Sequence, residues 1–99
     1  ERLEEFTRRN AGRLGTIEVI LPDLGAQVES REMPFRGADF DPRDSSVHLM
    51  LGSEAVGGRH LTRSIRDVTA IQVLRDTEGT DLMLRVAHNA GQTLLTLER

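Results

Sequence analysis

At 99 residues the chain is expected to form one domain with a single modest core. It has no cysteine, which excludes disulfides, thiolate zinc sites and thiol nucleophiles, and all thirteen basic residues are arginine, which excludes Schiff-base and Walker-type lysine chemistry. A net charge of −3 works against nucleic acid and anionic membrane as partners, and no apolar run of about eighteen residues or secretory leader is visible.

Glu1 to Arg9 reads as a short amphipathic helix. Leu3 and Phe6 share a face, and Glu4–Arg8 and Glu5–Arg9 are i,i+4 pairs with the acid first. Asn10-Ala11-Gly12 supplies the stop, with Gly12 or Asn10 in the left-handed cap conformation. Two helical turns are unstable alone in water, so the helix must dock through Leu3 and Phe6.

From Arg13 the period changes to two. Ile17, Val19 and Leu21 alternate with Thr16, Glu18 and Ile20, and Pro22 to Gly25 makes a turn. A strand follows from Ala26 to Phe35, but Met33 and Phe35 lie on the opposite parity from Ala26 and Val28. That slip predicts a bulge, and Pro34 predicts an edge position there. Asp41-Pro42-Arg43-Asp44 is a turn, and Val47, Leu49 and Leu51 form the next strand. Gly52 to Gly58 is glycine-rich, and His60 to Ile65 is ambiguous between strand and helical turn. Thr69, Ile71 and Val73 mark another strand, closed by Asp76 to Gly79. Leu82, Leu84 and Val86 then pair through Asn89-Ala90-Gly91 with Thr93, Leu95 and Leu97. The fold class is mainly β (α+β). A helix over residues 1–10 precedes an antiparallel meander over 14–99, a curled sheet or small barrel of about six strands.

Little in this pattern defines a chemistry. His48, His60 and His88 have no metal-ligand spacing, so no metal or cofactor is expected. An EF-hand reading of Asp39, Asp41 and Asp44 fails, because the sixth and twelfth positions would be Asp44 and Met50 rather than Gly and Glu. Arg59, Arg63 and Arg66, with His60 among them, form the densest basic cluster. Beside the glycine-rich loop they make a candidate site for a small anion. Phenylalanine is the only aromatic type and two of the three are expected in the core, which argues against the stacking platforms that single-stranded nucleic acid needs. No nucleophile elbow, H-E-x-x-H or phosphate loop is present. A small enzyme using His60 or His48 ranks behind both binding readings.

Several phrases occur together in order: Arg9 to Arg13, Leu24 to Gln27, Asp41 to Asp44, His60 to Ile65 and Gly91 to Leu95. Through them the chain resembles, over nearly its whole length, a family of small bacterial proteins of unknown function. The resemblance implies a bacterial, cytoplasmic, single-domain protein and supplies no activity. That family often has a second histidine where this chain has Arg63, which argues against a paired-histidine role for His60.

The function expected from the sequence is a non-catalytic interaction module that forms a homodimer. The final hairpin is apolar on both parities, with Met83, Leu94 and Leu95 as interface candidates, and is expected at a sheet edge where unpaired backbone groups need cover.

Overall fold

In a computed structural model the chain is described over residues 2–53 and 58–98. Helix α1 spans Leu3–Asn10. Seven strands follow: β1 Leu14–Leu21, β2 Gly25–Asp41, β3 Ser46–Gly52, β4 His60–Ile65, β5 Val68–Arg75, β6 Asp81–His88 and β7 Gly91–Leu97. They form one antiparallel sheet in the order β4-β3-β2-β1-β7-β6-β5. Two meanders are thus joined along β1 and β7.

This order forces the sheet to curl. β4 and β5 are its opposite edges, yet only Arg66 and Asp67 separate them in the chain. Six inter-strand gaps of about 4.8 Å would put those edges roughly 29 Å apart in a flat sheet. Three peptide steps reach at most about 11 Å. The result is a half-barrel whose edges converge at the link. There Val68 N–H donates to Ser45 O at 2.9 Å and Ser45 Oγ donates to Val68 O at 2.8 Å.

β2 is the long strand, and its bend falls where the apolar phase slips. Its register against β1 shifts on both sides of Ile17, its register against β3 shifts between Phe35 and Gly37, and Glu32 takes a φ of 50°. Pairing with β3 begins only at Phe35, so Pro34 and the residues before it have β1 as their single neighbour. The expected bulge and the locally edge-like Pro34 are both present. The ambiguous segment from His60 to Ile65 is a strand.

The concave face holds the core: Ile17, Phe35, Val47, Leu49, Leu51, Leu84, Val86 and Leu95 are all buried there. Helix α1 lies across it with Leu3 and Phe6 pointing in. The Phe6 and Phe35 rings meet edge-to-face at 5.5 Å. Thr7 Oγ1 fixes the docking angle, accepting from Ala38 N–H at 2.9 Å and donating to Ala38 O at 3.2 Å. The helix ends with Gly12 at φ 93°, as its glycine stop requires. Gly91 is fixed by close approach, because a Cβ there would collide with Ile20 O.

One sequence expectation is overturned. The β6–β7 hairpin is internal, because β7 pairs with β1 as well as β6; the full-length edges are β4 and β5. Leu95 is completely buried and belongs to the core. Local alternation revealed the strands but carried no trace of β7 returning to β1, a contact between the chain's two ends.

Because Phe6 fills the concavity, Phe6→Ala is expected to cost about 3–5 kcal/mol in chemical denaturation. A cost below about 1 kcal/mol would show that the helix is not part of the core.

Candidate functional site

The arginine cluster is divided between faces. On β4, Leu61, Arg63 and Ile65 share the concave side, while His60, Thr62 and Ser64 point outward. Arg66 is exposed in the two-residue link to β5. Arg59 and His60 line a groove of about 830 Å³ between the end of β3, the start of β4 and the half of β2 that lacks a second neighbour. Arg31, Glu29 and Leu61 contribute to its walls. A groove of this size is within the range that small ligands occupy. Arg36 Nη1 donates to His60 Nδ1 at 3.0 Å, so a neutral His60 ring carries its proton on Nε2. Arg63 pairs with Glu29 at 3.4 Å, and its Nε is buried with no acceptor.

The histidines do not converge. His48 lies on the outer face of β3 between the Ser46 and Ser64 hydroxyls, at 3.2 and 2.9 Å. His88 is on β6 against Thr93 Oγ1 at 3.1 Å. Burial, helped by the charge of Arg63, lowers the His88 pKa from the ordinary imidazole value. Among the described residues no group of three or more His, Cys, Asp or Glu side chains is placed to hold a metal ion. The Asp41–Asp44 segment is a capped turn: Asp41 accepts from the Arg43 backbone and guanidinium, and Asp44 from Ser46 Oγ.

The most connected polar site was not apparent in the sequence. Asp81, 4% exposed at the start of β6, accepts hydrogen bonds from three side chains on two elements, α1 and β5. Arg9 Nε reaches Oδ2 at 2.9 Å, Asn10 Nδ2 reaches the same oxygen at 2.7 Å, and Arg75 Nε reaches Oδ1 at 2.8 Å. Arg13 completes the cluster, donating to Asn10 Oδ1, to the Asp81 carbonyl and to the Glu98 carbonyl. Burial alone would raise the Asp81 pKa. The hydrogen bonds from Arg9, Asn10 and Arg75, with the charge of Arg9, outweigh it and hold the carboxyl below its ordinary value. One signal in the sequence pointed here: Asn10 falls on the same helical face as Leu3 and Phe6, and a polar residue on a buried stripe needs a buried partner. Arg9, expected from the sequence to pair with Glu5 one turn back, reaches Asp81 from the end of the helix.

The interface candidates also separate by face. Leu95 points into the core, whereas Met83 and Leu94 are half-buried on the convex outer face. That face runs over β5, β6, β7, β1 and the first half of β2. In register across it lie Leu74 beside Met83, Arg85 beside Leu94, and Leu94 beside Glu18. Leu74 and Val28 are 42% and 43% exposed there.

Fold and site together define a mainly-β half-barrel domain with a helix docked in its concavity. The chain belongs to the Family of unknown function (DUF5335), whose model matches residues 1–99. No curated protein and no solved structure matches it. Among the described residues no helix is long and apolar enough to cross a membrane.

Removing the Asp81 charge tests the polar cluster. Breaking a fully buried pair costs about 3–5 kcal/mol. Arg9 and Arg75 are each more than a third exposed, so Asp81→Asn is expected to cost about 2–3 kcal/mol, lowering Tm by on the order of 10–15 °C. A carboxyl whose folded pKa is depressed stabilises above its unfolded value of 3.8, and that contribution is lost as pH falls through the folded value. The gap between wild type and Asp81→Asn should therefore hold from pH 7 to about 5 and shrink below about 4. A gap independent of pH would contradict the assignment.

Proposed function

We propose that this chain is a non-catalytic interaction module that pairs with a second copy of itself, and that the pairing surface is the convex face of the sheet rather than a strand edge. The observation that supports this is the outer face of β5, β6, β7, β1 and the first half of β2, where Leu74, Met83, Leu94, Ile20 and Val28 lie on a surface that no other element of the described chain covers. Helix α1 is committed to the opposite, concave side. An extended, partly apolar sheet face in contact with water is where sheets stack in pairs, about 10 Å apart. The reading describes a bacterial, cytoplasmic homodimer with no cofactor and no nucleic acid partner.

With phenylalanine as the only aromatic, size-exclusion chromatography is followed by light scattering and refractive index rather than by absorbance at 280 nm. Wild type should run at twice the chain mass. Leu94→Glu, a change on the outer face, should give a folded monomer with an unaltered far-ultraviolet circular dichroism spectrum. A Leu94→Glu protein that remains dimeric would remove the convex face as the interface.

A second reading is a small-anion site in the groove beside β4. It is favoured by Arg59 and His60 lining one cavity and by Arg63, which pairs with Glu29 of the groove wall and keeps a buried Nε without a hydrogen-bond partner. Arg66, exposed in the link, is outside the groove lining and is not part of this reading. Inorganic phosphate or citrate should raise Tm in wild type and lose that effect in the Arg59→Ala, Arg63→Ala double variant. Equal shifts in both proteins would remove the groove from consideration.

A further inference from the structure

Resting on the self-association reading, we infer that the two copies pack about a twofold axis running along β7, with Glu18 of each copy against Arg85 of the other. The charge pattern of the outer face selects this arrangement. Glu18 on β1 and Arg85 on β6 are each in direct register with Leu94 on β7, so the two charges flank one apolar side chain, one strand away on either side. They are therefore about 10 Å apart within one chain, too far for a direct ion pair. Among the described residues Glu18 makes no side-chain hydrogen bond or ion pair. Arg85 is held flat over the sheet by two neutral partners, Gln92 Oε1 at 2.6 Å and Gln72 Oε1 at 3.4 Å. Among the described residues its positive charge meets no carboxylate.

Two identical faces can be stacked about an axis in the plane between them in two limiting ways. An axis across the strands sets Glu18 on Glu18 and Arg85 on Arg85, which is repulsive at both positions. An axis along the strands exchanges the two sides of β7, so Leu94 meets Leu94 while each Glu18 meets the other copy's Arg85. The same operation sets the small Ala87 opposite the larger Ile20, because both lie in register with Gln92 on β7. Aligned sheets cross at about 30°, a rotation that moves the innermost pair by only about 2–3 Å. At a sheet separation of about 10 Å, a glutamate and an arginine side chain together span the gap. The partner is a second copy of this chain, and the ion pairs set its orientation.

Sedimentation velocity over a dilution series tests this with charge-swapped variants, each first checked for an intact circular dichroism spectrum. Glu18→Arg alone and Arg85→Glu alone each place like charges together twice per dimer, and should raise the dimer dissociation constant at least about tenfold. The double variant Glu18→Arg, Arg85→Glu restores unlike pairs and should return to within about threefold of wild type. If Arg85→Glu disturbs the fold, Arg85→Gln takes its place and should weaken the dimer alone. Single variants as tight as wild type, or a double variant no tighter than the singles, would overturn the twofold arrangement. If Leu94→Glu is still monomeric in that case, the convex face remains the interface. A wild-type protein that sediments as a monomer at every concentration would overturn both.

Discussion

One buried carboxylate ties the N-terminal helix to the β5–β6 hairpin. Asp81 is bonded by Arg9 and Asn10 at the end of the helix and by Arg75 at the end of β5, while Arg13 bridges from Asn10 to the backbone carbonyl of Glu98 beyond β7. A two-turn helix has almost no stability of its own, so its position depends on Phe6 in the core and on this polar clamp at its C-terminal end. The clamp is an orientation device more than a source of net stability. Burying the carboxylate carries a desolvation cost that the arginines only partly offset, yet removing it would leave several guanidinium groups facing one another.

That clamp sets which face of the sheet is available. With α1 fixed in the concavity, the helix covers the core on the inner surface. The convex face and the groove along the half of β2 that pairs only with β1 remain open for recognition. The short β4–β5 link contributes as well: by forcing the edges to converge it curls the sheet. Ser45 then holds the link in place at that end.

Local structure was well expressed in the sequence, and long-range structure was not. Leu3 and Phe6 at i,i+3 gave the helix its buried face, and alternation through Val47, Leu49 and Leu51 or Leu82, Leu84 and Val86 marked the strands. The parity slip at Met33 marked the bend in β2. His60 to Ile65 resisted assignment because Arg63 occupies an inward position that an apolar residue would have made obvious. Strand order depends on pairings such as Ile17 with Leu95, far apart in the chain, which alternation cannot encode. The Asp81 cluster was illegible for a related reason. Beside the Asp76–Gly79 turn, a lone aspartate resembles one more turn residue, and two of its three donors, Arg9 and Asn10, lie some seventy residues away.

The central claim is that two copies meet on their convex faces. An isotope-filtered NOE experiment on an equimolar mixture of labelled and unlabelled protein reads that contact directly. The account predicts intermolecular NOEs between Leu94 methyl groups and between Ile20 and Ala87, with none from Leu95 or Val86 on the inner face. Intermolecular NOEs confined to β4 or β5, or none at concentrations where the protein is dimeric by mass, would contradict it.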